Sequence, residues 1–351
     1  MAQNTRLGLF GSEWFTIDLG TLAISLAFFH VHSVFSFPAV LEAGIVFLYI
    51  AVALFLATLG IWIARTFLMP NVIKEDWNSL NRISFTTVIP LSASVMNAAI
   101  IAYYGFNVHY EYLYLVNYFI DFTSILFLSF FLGYKLYTKS PVHTNEISYG
   151  LLIPPVAISS NVLLGSSLMR TQYFNSIIFL TVIGVGIALF LFLFIGIMTF
   201  ASYIRDQKAN APSPMLVLPV GVSSIIVINI LAIATAKSVF QIPMADALTV
   251  SFMLWAFELW NFVVAMMISL KRVFREPATI SIWAYTFPMA IFSVSSLDLR
   301  SIIGRYGYIT ASNIVYYIGI GAWVILIVAW VYAVMSTAIF LSHIKMIAYP
   351  G

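Results

Sequence analysis

Apolar runs at least about 18 residues long recur along the whole of this 351-residue chain. A helix needs roughly that length to cross the hydrocarbon core of a bilayer. The runs lie at 14–32, 39–64, 83–104, 112–136, 148–169, 173–203, 214–236, 245–270, 279–298 and 311–342. In hydrocarbon a chain satisfies its own N–H and C=O groups only as a helix or a closed barrel. Charged residues make up 8% of the chain, against about 25% in a soluble domain, too few to clothe a water-exposed surface. Mean hydropathy is +1.00. The expected fold is an all-α integral membrane protein of ten transmembrane helices, one transmembrane domain over 1–351. No small-residue cleavage site follows the first run, which therefore reads as a retained span rather than a signal peptide.

Short connections make successive helices antiparallel neighbours, so the ten spans read as five hairpins. Twelve basic residues stand at the N-terminus, after the even spans and at the C-terminus: Arg6, Arg65, Lys74, Arg82, Lys135, Lys139, Arg205, Lys208, Lys271, Arg272, Arg275 and Lys345. Four stand in the opposite loops: Arg170, Lys237, Arg300 and Arg305. The positive-inside rule then places both termini in the cytoplasm, and the plasma membrane is the expected location. There are no cysteines, which excludes disulfides, thiolate-bound metals and cysteine nucleophiles together. No cofactor is expected. The net charge of +3 is spread over short loops, so nucleic acid is not an expected partner, and the partners are the bilayer and a small solute. No glycine-rich nucleotide motif is present.

Helix-breaking residues fall in every second span, at Gly20, Pro90, Pro154 and Pro155, Pro219 and Pro288. From Gly20 through Pro90, Pro155, Pro219 and Pro288 the intervals are 70, 65, 64 and 69 residues. The even spans hold no proline. This is one hairpin repeated five times. Polar residues keep the same register: Ser94, Ser159 and Ser223 stand four residues after their prolines and Ser293 five. Asn97, Asn161 and Asn229 follow further along, and Thr21 and Ser25 hold the comparable part of the first span.

Proline within a helix removes a backbone donor and kinks it, and in lipid the freed groups need protein or water. An economical arrangement sets the five odd helices around an axis with quasi-five-fold symmetry, their kinks and hydroxyls facing a partly wet central pore. The five apolar even helices then form the lipid-facing ring. The alternative use of the same hydroxyls is as small interhelical contacts and hydrogen-bonding glue. A pore of hydroxyls, amides and helix ends, without a ring of carboxylates, suits rapid passage of small anions.

The stretch Ser281-Ile282-Trp283-Ala284-Tyr285-Thr286-Phe287-Pro288-Met289 resembles the ninth-helix signature of the slow anion channels of plant guard cells, within the tellurite-resistance/dicarboxylate transporter family. Trp14-Phe15-Thr16-Ile17-Asp18-Leu19-Gly20, Pro154-Pro155-Val156-Ala157, and Ser213-Pro214-Met215 leading to Pro219 are similar to other odd helices of that family. The resemblance implies a homotrimer with one pore per protomer. It also implies substrates among chloride, nitrate, sulfite, tellurite-related species and C4-dicarboxylates such as malate. In that family a phenylalanine just before the ninth-helix proline occludes the pore, a role the resemblance places on Phe287; ordinary packing is its alternative. Only about 13 residues precede the first run, so gating through long phosphorylated tails is not expected. Asp18 stands where a neutral residue is commoner.

Asp18, Asp121 and Glu258 lie inside spans, where an ionisable group is costly and usually functional. Asp18, on an odd helix, is either a proton or selectivity site or a hydrogen-bonded carboxyl at a helix contact. Asp121 and Glu258, on even helices, read as structural. His30 and His32, two apart on a helix, diverge, which argues against a shared metal. Channel and proton-coupled carrier remain open, as do two other classes: a quinol-interacting subunit of a respiratory complex, and a structural assembly partner. No enzymatic activity is expected.

Overall fold

A computed structural model describes residues 6–139, 146–205, 213–236, 238–272 and 275–348. Lys208 and Lys237, counted in the charge asymmetry above, lie outside the described residues. Among the described residues, ten helices are long and apolar enough to cross a membrane. They are α1 (Ser12–Phe35), α2 (Pro38–Leu68), α3 (Leu80–Tyr104), α4 (Val108–Thr138), α5 (Tyr149–Leu168), α6 (Phe174–Arg205), α7 (Ser213–Thr235), α8 (Met244–Arg272), α9 (Ile280–Arg305) and α10 (Ile309–His343). A short helix, Pro70–Asp76, occupies the connection from α2 to α3. Helix α9 runs on to Arg305, well past the end of its apolar run at 298, because Asp298, Arg300 and Ser301 continue the helical backbone at its polar end.

The odd helices are inside. Between 56% and 94% of each odd helix's apolar stretch is buried by protein, against 17% to 44% for the even ones. Helix α1 packs on α3 and α9, α5 on α3 and α7, and α7 on α9, closing a ring of five. Each even helix covers a seam of that ring: α2 over α1 and α3, α4 over α3 and α5, α6 over α5 and α7, α8 over α7 and α9, α10 over α9 and α1. Hairpin connectivity sets the five inner helices parallel, with their starts at one end.

The helix breakers act differently from the expected mid-helix kinks. Most odd helices open with a 3-10 turn: Ser12–Trp14, Tyr149–Leu152, Ser213–Val217 and Ile280–Tyr285. Pro154, Pro155, Pro219 and Pro288 then lie within the first three residues of the α-helix that follows. In α3 the chain turns at Thr87, and Pro90 is the third residue of the segment Val88–Tyr104. Each missing proline N–H falls where a 3-10 turn, or in α3 the turn at Thr87, gives way to the α-helix and the hydrogen-bond pattern changes, and the fixed φ of proline suits the helix start. Asn161 provides a further break in α5, between Ile153–Ser160 and Val162–Leu168.

Gly20 breaks nothing. It lies within the unbroken helix Phe15–Phe35, and a Cβ there would meet Thr286 Oγ1 at 2.1 Å. At Gly221 of α7 a Cβ would stand 3.0 Å from Pro288 Cβ and 3.2 Å from its Cα. These two glycines let α1 and α7 close on the two flanks of α9.

Candidate functional site

Three cavities are lined chiefly by the inner ring. At the helix starts a vestibule of about 540 Å³ is bordered by Glu13, Thr16, Asn81, Arg82, Phe85, Met215 and Ser281, among others. A narrow cavity of about 40 Å³ follows, lined by residues of all five odd helices: Thr16 and Leu19, Phe85, Val88 and Leu91, Ile153 and Val156, Leu218, and Trp283, Ala284, Phe287 and Pro288. At the helix ends a second vestibule of about 360 Å³ again draws on all five, including His30, Ala102, Ser166, Arg170, Ile228 and Val294. Thr16 and Phe85 are shared by the first vestibule and the narrow cavity.

Phe287 is 5% exposed and lies in the narrow cavity. Its position is set by the 3-10 turn Ile280–Tyr285, after which Thr286 begins the α-helix and Phe287 is its second residue. The surrounding collar is almost wholly apolar, so an ion there would find scarcely a side-chain donor to replace its water. Phe85 shares that collar. Its signal in the sequence is the aromatic five residues before each of three repeat marks: Phe15, Phe85 and Trp283.

The expected polar lining is absent from these three cavities among the described residues. The Thr21 hydroxyl donates to the Ile17 carbonyl and accepts from Trp330 Nε1 of α10 at 3.2 Å. Ser25 donates to Gly44 O of α2 at 2.7 Å, and Ser293 to Gly319 O of α10 at 2.9 Å, the same clasp in the first and last hairpins. Ser94 donates to Asn161 Oδ1 at 2.8 Å. Asn229 Nδ2 donates to Ser159, at both its carbonyl and its hydroxyl, at 2.9 Å. Ser223 and Asn97 bond carbonyls one turn back, Pro219 O and Ala93 O. All are buried. For Thr21, Ser25, Ser94, Ser159, Asn161, Asn229 and Ser293 a partner on a neighbouring helix supports the glue reading, whereas Ser223 and Asn97 bond within their own helices.

Asp18 also lies off these cavities. It is fully buried, and its carboxylate accepts from Thr58 of α2 at 3.3 Å, with the Ser92 hydroxyl of α3 facing the same group. Glu258 of α8 accepts from Ser224 of α7 at 2.9 Å and from Ser295 of α9 at 3.2 Å. Asp121 is bonded by Asn117, one turn before it on α4. His30 Nδ1 pairs with Leu26 O, and its Nε2 lies 3.9 Å from Asp298; His32 Nδ1 pairs with Phe37 O. The two imidazoles therefore serve different partners.

Composition alone does not reveal the charge network beside the first vestibule. Arg65, at the end of α2 and fully buried, meets Asp76 at 2.6 Å. Arg82, lining the vestibule, holds the other oxygen of Asp76. A buried guanidinium demands such a partner. The network ties the first hairpin to the start of the second.

A closed ring of parallel inner helices, with cavities at both ends and in the middle, inside an outer ring of apolar helices, is the architecture of a multi-pass helical membrane protein. The chain belongs to the voltage-dependent anion channel family, which it matches over residues 9–338. It is also similar to an uncharacterized transporter of Methanocaldococcus jannaschii, 25% identical over 344 residues, 93% of this chain and 94% of that protein. Transport thus stands over the quinol-interacting and assembly alternatives, and the family is one of transporters and channels rather than enzymes.

Proposed function

We propose that this protein passes small anions along the axis of the inner ring, from one vestibule to the other through the narrow cavity, and that Phe287 closes the middle. The observation that carries this reading is the succession of three cavities, two of them lined by all five odd helices. The collar's apolar walls support a closed state, since an ion must shed water there without replacement. The weak donors around the path suit small anions, from chloride and nitrate to sulfite or a C4-dicarboxylate such as malate. Passage is passive in this reading, because Asp18 lies off the cavities. The protein works as a homotrimer in the plasma membrane with both termini in the cytoplasm, a reading supported by the family and by the twelve-to-four distribution of basic residues.

Flux of chloride, nitrate, sulfite and malate into proteoliposomes, with and without a pH gradient, tests it. Flux of at least one anion that ignores the gradient is expected. A correctly folded protein that passes none of them refutes the reading, and flux that follows the gradient refutes its passive part.

A further inference from the structure

The two vestibules differ in how their charges are committed. At the helix starts, the guanidinium of Arg82 is already bound to Asp76, and Glu13 adds a carboxylate to the lining. At the helix ends the lining carries no carboxylate, and its guanidinium, Arg170, has no carboxylate partner among the described residues. One face of that guanidinium lies over the Phe106 ring, 5.5 Å from its centroid. Phe106 lines the same cavity. Stacking of this kind fixes the plane of the group and leaves its N–H edge free to donate.

Two other basic groups stand near this end. The imidazole of His30 is held between Leu26 O and the carboxylate of Asp298. The guanidinium of Arg300 lies over Tyr316 of the outer helix α10, 4.8 Å from its centroid. The remaining polar lining is the hydroxyl pair Ser166 and Ser167, one turn before Arg170, and of these Ser166 bonds Leu163 O. The rest of the wall is apolar, from Leu26 and Phe29 on α1 to Ile291 and Val294 on α9.

We infer that this vestibule is an anion-capture site centred on Arg170, selective for a singly charged planar oxyanion: nitrate or a short monocarboxylate. The inference rests on the axial path proposed above. A guanidinium edge matches the O–X–O edge of such an ion with two parallel hydrogen bonds, a fit a spherical halide cannot use. The apolar wall accepts the small remainder of a monocarboxylate. A dicarboxylate would bring a second charge into a cavity whose other basic side chain, the imidazole of His30, already faces Asp298.

The test uses the full chain in proteoliposomes, with chloride, nitrate, acetate and succinate as probes, comparing wild type with Arg170→Gln and Arg170→Lys. The expected result is a rise of about tenfold in the half-saturating concentration of nitrate and acetate for Arg170→Gln, as loss of a charge-assisted pair implies. Flux at saturation and chloride flux stay near wild type, and Arg170→Lys recovers only part of the loss. The lower half-saturating concentration in wild type tells nitrate from monocarboxylate. Unchanged half-saturation for both oxyanions, or an equal loss for chloride and nitrate, overturns the site. Nitrate-dependent thermal stabilisation of detergent-purified protein separates the two claims. If wild type passes no anion, yet nitrate stabilises it and Arg170→Gln abolishes that effect, the site stands and the transport reading falls.

Discussion

Replacing Phe287 with alanine tests the proposed ion path at its centre. The ring is 5% exposed and borders a cavity of only about 40 Å³, room for about one or a few water molecules. If ions follow the proposed path, the ring must leave its collar for one to pass in wild type. That forfeits the burial of a phenyl group, about 1.5–3 kcal/mol, and adds roughly 0.5–1 kcal/mol for a less favoured rotamer. A total near 2–4 kcal/mol corresponds to an unblocked fraction of roughly one in thirty to one in a thousand, at about 1.4 kcal/mol per factor of ten. Phe287→Ala removes this requirement, so anion flux rises by about thirtyfold or more. Stopped-flow flux into proteoliposomes reads the change, with size-exclusion and thermal unfolding confirming the fold, since the truncation also weakens packing by up to a few kcal/mol. Flux equal to wild type in a correctly folded sample refutes the reasoning and returns Phe287 to ordinary packing.

Three further substitutions test the interpretation elsewhere. Asp18→Asn should leave flux within about twofold of wild type and insensitive to a pH gradient, because Asn Oδ1 can still accept from Thr58; a large loss of flux would restore Asp18 as a transport residue. Gly221→Ala forces a methyl group against Pro288 and should cost about 1–3 kcal/mol, read as a lowered thermal midpoint in detergent; no change would mean that α7 and α9 are free to separate. Arg65→Met leaves Asp76 with Arg82 as its remaining partner and should destabilise the protein by about 3 kcal/mol; a neutral effect in denaturant unfolding would mean that the buried pair contributes nothing.

Much of the architecture was legible because bilayer physics reads composition directly. A helix that meets lipid must be apolar around its circumference, whereas one enclosed by other helices tolerates polar groups and glycine. That difference separated even from odd spans, and the structure bears out the same division in their burial. The first-turn prolines were visible as a repeat, but their function was misplaced. A spacing of 64 to 70 residues shows that a feature recurs without showing whether it interrupts a helix or begins one. The same limit applied to Gly20, whose value lies in Thr286, a residue 266 positions away.

The sequence by itself determined the ten membrane helices, their pairing into five hairpins, and the inner and outer sets; the family resemblance of the ninth-helix motif pointed to Phe287. Only the tertiary structure decided where the polar side chains point. Successive residues of a helix are rotated by about 100°, so sequence orders the faces of a helix relative to one another. It leaves open which face meets the axis and which meets a neighbour; packing across the ring decides that. Packing turned Ser25 and Ser293 toward carbonyls of the outer helices and joined Ser94 to Asn161 and Ser159 to Asn229 between inner ones. It left the middle of the ring apolar around Phe287, and placed Arg170 at its end without a carboxylate partner among the described residues.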